Sequence, residues 1–187
     1  EHTNYWSATT LINFLRNLGL YVFSIEKIDT HGGSIRAYVS KDKKLAIDES
    51  VKLILEEELK FGIKRLSTYL EFGKSIEKLK INFNKNFEKY KNKNIIFYGS
   101  PAKATTKLNY FNIDKDKYQT IEDNELKIGK YIPNVNVEIC SKNNLKKSNF
   151  DYIIVLAWNF FDEIKKNNNR LSKNFLKITD LEKDQIN

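Results

Sequence analysis

Residues 94–111 restrict the folds open to this chain more than any other stretch. Ile95-Ile96-Phe97-Tyr98 is a short apolar run bounded by polar Asn and Lys residues, the pattern of a strand buried on both faces. Gly99-Ser100-Pro101 then makes a tight turn, after which Ala104, Leu108 and Phe111 recur at i, i+4 and i+7, one face of a helix. A strand, a glycine turn and a helix open a mononucleotide-binding unit. Such a turn brings backbone N–H groups and the positive end of a helix dipole to one spot, which suits a phosphate. Lys103 and Lys107, one helical turn apart, add charge at the same mouth. An ordinary packing turn would give the same string, because G-x-G-x-x-G and the Walker lysine–serine pair are both absent.

The residues that follow extend the α/β pattern. Tyr118-Gln119-Thr120-Ile121 ends in Glu122-Asp123-Asn124, residues 134–139 alternate as a strand with one buried face, and Tyr152-Ile153-Ile154-Val155-Leu156-Ala157 is nearly free of polar side chains. The last of these belongs in the middle of a sheet covered on both sides. Asn159 is placed to cap a helix that carries Asp162 and Glu163 in its first turn, and Phe175–Ile178 offers a last short strand. Strands interleaved with helices predict a Rossmann-like, three-layer, mostly parallel α/β sheet. Ligands of such sheets sit outside the carboxyl ends of the strands. Three such ends, at Gly99–Lys103, Glu122–Asn124 and Trp158-Asn159, are expected to converge on one crevice. Asp123 lies about twenty residues past the glycine turn, where dinucleotide folds keep a ribose-binding acid. Turn formation by Asp123 and packing by Trp158 are the plainer roles for each residue taken alone.

The preceding residues are organised differently. Over 1–45, a helix from Thr9 or Thr10 to Leu18 closed by Gly19 is followed by a strand at 20–28, a turn at His31-Gly32-Gly33-Ser34 and a strand at 35–39. That is a helix with a β-hairpin, too little for a domain, and it reads as the remnant of something larger. Residues 46–92 form a helical connector. Asp48 or Ser50 caps its start, Gly62 and Gly73 punctuate it, and an apolar stripe at Ile76, Leu79, Phe83, Phe87 and Tyr90 follows. Residues 93–187 hold the sheet.

Charge and cysteine content narrow the function classes. Of 32 basic residues 28 are lysine, interleaved with asparagine and with acids, so the net charge of +8 describes a diffuse solvated surface more than a nucleic-acid footprint. It would still attract a small anionic substrate. The single Cys140 excludes an intrachain disulfide and a cysteine-rich zinc site, and its place at the end of an apolar-alternating run makes it a small core residue. No run approaches the roughly 18 apolar residues of a membrane helix. The chain starts at Glu1 without a methionine anywhere, so it is expected to be a piece of a longer protein.

Several ordered motifs then coincide. They are Glu1-His2 with Tyr5-Trp6-Ser7; His31-Gly32-Gly33-Ser34-Ile35-Arg36; Tyr98-Gly99-Ser100-Pro101-Ala102-Lys103 with Leu108-Asn109-Tyr110-Phe111; Lys127-Ile128-Gly129-Lys130-Tyr131-Ile132-Pro133; and Ala157-Trp158-Asn159-Phe160 with Glu163-Ile164. Together they resemble the C-terminal region of the sugar C-methyltransferases that use S-adenosylmethionine (SAM) and act on nucleotide-linked deoxyketosugars. The resemblance covers nearly the whole chain. It implies a parent with a zinc-binding N-terminal segment, a SAM-binding domain and a C-terminal Rossmann-like domain. Residues 1–45 would then be the tail of the SAM domain. Residues 93–187 would hold the nucleotide-sugar, with Gly99, Ser100, Lys103, Thr105, Asp123, Trp158 and Asn159 as its contacts and the Gly99 turn facing a diphosphate.

The implied chemistry needs a base that removes a proton beside a ketone, giving an enolate carbon that attacks the sulfonium methyl. The family's Glu-His pair matches Glu1-His2; a histidine of near-neutral pKa suits the task and a carboxylate can orient it. His31, in a turn that would open on the ligand side, is a second candidate, although His-Gly-Gly-Ser is also simply a good hairpin turn. SAM and zinc would be held mostly outside these residues, so the chain alone is expected to bind no cofactor tightly, to hold no metal and to be inactive. The expected partner is a small nucleotide-sugar in the cytoplasm, with no nucleic acid and no membrane, and an oligomeric state left open. Two alternatives are a stand-alone binding module of the nucleotide or coenzyme A kind, and a nucleic-acid-binding protein using the lysines.

Overall fold

The computed structural model describes residues 4–113, 117–145 and 149–184. Contacts within the chain divide it into two compact units, Glu1–Gly73 and Lys74–Asn187.

In the first unit, α1 (Ala8–Asn17) begins where the Ser7 hydroxyl oxygen accepts the Thr10 N–H at 3.1 Å, and it ends before Gly19, whose φ of +72° is left-handed. Strands β1 (Tyr21–Ile28) and β2 (Ser34–Ser40) pair antiparallel, joined by a 3-10 turn at Thr30–Gly32. Helix α2 (Glu49–Phe61) is capped by Asp48, whose carboxylate accepts the Ser50 N–H at 2.9 Å, and it stops at Gly62 with φ +85°. Burial of Ala8, Ile12, Val22, Ile25, Val51 and Ile54 holds α1, β1 and α2 together. Glu58 of α2 adds a second cap to α1, accepting the N–H groups of Ala8 and Thr9 at 2.5 and 2.8 Å and the Thr9 hydroxyl at 2.6 Å. Those N–H groups have no partner inside α1 itself.

Helix α3 (Leu66–Glu88) runs through Gly73, so only Gly62 of the two expected glycines interrupts the helical region. A glycine inside a helix costs about 1 kcal/mol relative to alanine, too little to end one that buries Phe83 and Asn86 downstream.

The second unit is built on five short strands: β3 (Ile95–Tyr98), β4 (Gln119–Ile121), β5 (Glu138–Cys140), β6 (Tyr152–Val155) and β7 (Phe175–Lys177). All pair in parallel, in the order β5-β4-β3-β6-β7. Helices α4 (Ala102–Phe111) and α5 (Phe161–Asn167) cover opposite faces. Ile95, Phe97, Ile154 and Leu156 join one core with Phe83, Leu108 and Phe111; Ile96, Tyr98, Ile153 and Val155 join another with Phe161, Ile164 and Leu171. Alternation within each strand thus fills both faces, as a continuous apolar run requires. This is the three-layer Rossmann-like fold. The chain steps outward from β3 to β5 and then returns to β6 on the far side of β3, so the switch in strand order lies between β3 and β6.

Three local expectations are corrected. The strand expected from Asn134 starts at Glu138, because Asn134 and Asn136 adopt left-handed φ values of +64° and +50°. Asn159 does not cap a helix: it sits inside a 3-10 turn, Trp158–Phe160, and α5 begins at Phe161 without a side-chain cap. The last strand stops at Lys177 because Ile178 opens a 3-10 segment, Ile178–Glu182, whose Ile178 and Leu181 are fully buried.

Asn86 anchors that segment. It is buried, and its Nδ2 donates to the carbonyls of Leu181 at 3.0 Å and Lys183 at 2.9 Å. Asn86→Ala is expected to lower stability by about 1–2 kcal/mol, read from a urea titration, because two carbonyls lose their donor. No loss would mean that water replaces the amide fully.

Candidate functional site

The carboxyl ends of β3, β4 and β6 border a groove of about 470 Å3 within the second unit. It follows from the topology: strands that diverge at a switch point leave their terminal loops apart, and a crevice opens between them. Gly99 marks its floor. Its φ is +87°, and a Cβ built there would lie 2.8 Å from the Ala157 Cβ, so only glycine lets the β3 turn pass under the β6 turn.

The anion position of the turn is filled from within. Ser100 donates both its N–H (2.9 Å) and its hydroxyl (2.6 Å) to Glu122 Oε2, while Oε1 accepts the N–H groups of Asp123 at 3.0 Å and Asn124 at 3.2 Å. Lys127 Nζ donates to the Ser100 carbonyl at 3.0 Å and lies 3.6 Å from the same carboxylate. Burial pushes the Glu122 carboxyl up, but the Ser100 hydroxyl, the N–H groups of Asn124 and Ser100 and Lys127 together outweigh it and hold the group below its ordinary value. The Ser100 N–H that the sequence offers to a phosphate is therefore already engaged by a carboxylate at the end of β4.

A second network lies beside it. Tyr98 Oη donates to Asp123 Oδ2 at 2.7 Å and accepts from Asn168 Nδ2 at 3.2 Å; Lys142 Nζ is 2.8 Å from Asp123 Oδ1 and 5.3 Å from the Tyr98 ring centre. Burial raises the Tyr98 phenol above its usual value; the hydrogen bond from Lys142 opposes this and the Asp123 carboxylate reinforces it. Burial also pushes Asp123 up, but its bonds to Lys142 and Tyr98 leave it below the usual carboxylate range. The groove thus offers carboxylate acceptors, ammonium donors and amides, flanked by the exposed ring of Phe160. That mixture suits a polyhydroxylated ligand, with a flat ring to stack on.

Among the expected contacts, Gly99, Ser100 and Asp123 line this groove; Lys103, Thr105, Trp158 and Asn159 do not. The 3-10 turn after β6 places Trp158 against the core on the α4 face, where Lys103 Nζ sits 3.8 Å and Lys107 Nζ 5.0 Å from its ring centre. Burial, and then repulsion from Lys107, lower the Lys103 pKa. Lys107 forms an ion pair with Glu182, whereas Lys103 has no carboxylate partner among the described residues. Thr105 is half-buried, with its carbonyl accepting Asn109 Nδ2 at 2.7 Å, and Asn159 is exposed. Glu1 and His2 lie outside the described residues, as does the side chain of His31, whose backbone belongs to the turn between β1 and β2.

Tyr98, Lys127, Lys142 and Asn168 were not legible as site residues. Tyr98 ends an apolar run and reads as core, and Lys142 is one lysine among many. The position of Glu122 at a strand end was the available signal. Among the described residues no group of three or more His, Cys, Asp and Glu side chains is arranged to hold a metal ion, and no helix is long and apolar enough to cross a membrane.

Comparison with known proteins matches residues 29–178 to the family described as the C-methyltransferase C-terminal domain. The chain belongs to that family. It is also 28% identical over 181 residues to the C-methyltransferase NovU of Streptomyces niveus, an alignment covering 93% of this chain and 42% of that protein. The chain therefore spans about two fifths of the length of this curated relative, as a C-terminal region does.

Proposed function

We propose that the chain is the C-terminal part of a SAM-dependent C-methyltransferase acting on a nucleotide-linked ketosugar in the cytoplasm, and that residues 93–187 hold this substrate. The observation that carries the proposal is the groove at the β3/β6 switch point, with its Asp123–Tyr98–Lys142 and Glu122–Ser100–Lys127 networks. Hydroxyls of the ligand exchange hydrogen bonds with Asp123 and Lys142, and Phe160 stacks on a ring. The turn's own Ser100 N–H is bound to Glu122, so the diphosphate is assigned to Lys103, which lies outside the groove on the α4 face and would meet a part of the ligand that extends beyond it. Residues 1–45 form the tail of the SAM domain, consistent with a two-stranded sheet being marginal by itself.

SAM supplies the methyl group when bound. The residues present give it little: the strand–glycine turn–helix unit at Gly99 holds Glu122 in its anion position and continues into Pro101, which has no N–H. Zinc belongs to the segment before residue 1. In the parent enzyme His2, with Glu1 beside it in sequence, would take the proton next to the ketone, with His31 next in line; SAM, held outside these residues, would supply the methyl group to the carbon so activated.

Calorimetry on residues 1–187 tests the division of labour. A nucleoside-diphosphate sugar is expected to bind and SAM to give no heat of binding; clear SAM affinity would overturn the assignment of residues 1–45. Lys103→Ala should weaken the diphosphate sugar about tenfold, one charge-assisted hydrogen bond, and leave the phosphate-free nucleoside unchanged. Equal losses for both ligands would remove Lys103 from the diphosphate site.

A further inference from the structure

We propose, on the reading of the switch-point groove as the substrate site, that Glu122 is a specificity-determining residue. It fills an anion-binding nest at the Gly99 turn, bars phosphate from it, and leaves the groove to an uncharged, hydroxyl-bearing part of the ligand. The nest is built from two loops. The Ser100 N–H (2.9 Å) and hydroxyl (2.6 Å), in the turn after β3, donate to Oε2. The N–H groups of Asp123 (3.0 Å) and Asn124 (3.2 Å), in the turn after β4, donate to Oε1. Lys127 Nζ, tethered to the Ser100 carbonyl at 3.0 Å, lies 3.6 Å from Oε2. Backbone N–H groups from successive residues, a hydroxyl and an ammonium are a donor set that suits a phosphate.

Here the protein's own anion takes them all. The Glu122 side chain is only 14% exposed, and its carboxyl is held below its ordinary value, so it stays ionised near neutral pH. A phosphate brought to the turn would meet a fixed negative charge in place of free N–H groups, and partial burial strengthens that repulsion. Ser100 and Glu122 both line the groove, so the exclusion acts inside it, whereas Lys103 lies outside on the α4 face. The ligand is thereby oriented, with its neutral end between the ends of β3 and β6 and its diphosphate beyond them. Removal of the carboxylate would free the nest and leave Lys127 without an acidic partner among the described residues.

The test uses inorganic phosphate on residues 1–187, read from the amide shifts of Ser100, Asp123 and Asn124. Glu122→Ala is expected to bind phosphate there at least about tenfold more tightly than wild type, the effect of one charge-assisted hydrogen bond or more. Adding Lys127→Ala should reverse the gain. Phosphate should also raise the urea midpoint of Glu122→Ala by more than that of wild type, because it stabilises the form that binds it. Equal affinity in the two proteins, or a gain whose shifts map away from 100 and 122–124, would overturn the proposal. If Glu122→Ala does not fold, wild type decides: saturable phosphate shifts at Ser100, Asp123 and Asn124 would mean that Glu122 gives way to the anion and would overturn the exclusion, and their absence would uphold it. With phosphate alone as the probe, the outcome is independent of whether a nucleoside-diphosphate sugar binds the groove, so a failure of the substrate reading is told apart from a failure of this one.

Discussion

Gly99→Val is expected to destabilise the second unit by about 2–5 kcal/mol, a large share of what holds a domain of this size together. Two costs combine. A left-handed φ of +87° costs a non-glycine residue about 1–2 kcal/mol, and more for a β-branched one. A Cβ placed 2.8 Å from that of Ala157 must also push the β6 turn away, an overpacking cost of about 1–3 kcal/mol. Both turns border the groove, so the damage falls on the site as well as on the sheet. Urea denaturation followed by far-ultraviolet circular dichroism reads the loss, and Gly99→Ala should show a smaller one. A valine variant within 1 kcal/mol of wild type would mean that the turn relaxes freely and does not set the floor of the site.

Glu122→Ala should cost about 3 kcal/mol. The carboxylate accepts from the Ser100 N–H and hydroxyl and from the Asp123 and Asn124 N–H groups, joining the β3 turn to the β4 turn, and its side chain is only 14% exposed. Hydrogen bonds to a charged group contribute about 1.5–3 kcal/mol each, less when several are lost together. The same group gives a pH dependence whose sign is fixed. Glu122 and Asp123 are both held below their ordinary values in the folded protein, so the unfolded chain binds protons more readily. Their contribution is fully present above the ordinary carboxylate range, near pH 4–4.5, and is lost as pH falls through the lowered folded values. Stability measured from pH 7 down to 3 should therefore fall more steeply in wild type than in Glu122→Ala. Parallel curves would remove Glu122 from the linkage.

The fold was legible because the signals behind it are periodic. A short run with no polar side chain between turn signals is the pattern of a doubly covered strand, and Ile153–Val155 of β6 behaves so, with every member buried. The Leu108 and Phe111 spacing likewise names the face of α4 that meets the core. Asn134 and Asn136 were misleading because alternation reports only which side chains are apolar, while asparagine can leave the extended region at little cost. The site was half legible. Topology places the ends of β3, β4 and β6 together, which brought Gly99, Ser100 and Asp123 to the groove. Whether a side chain just beyond a strand end turns toward one face or the other depends on the local turn, and sequence does not encode that plainly. The 3-10 turn at Trp158 sent the indole to Lys103 on the α4 face, while Tyr98, nominally a core residue, carried its hydroxyl to Asp123.

Amide chemical-shift mapping of residues 1–187 with a nucleoside-diphosphate sugar tests the substrate-holding role most directly. Saturable shifts should cluster at 98–103, 122–127, 142 and 157–168 in the second unit, and the phosphate-free nucleoside should reproduce them except near Lys103. Shifts scattered over surface lysines, or confined to the first unit, would contradict a substrate site at the β3/β6 switch point.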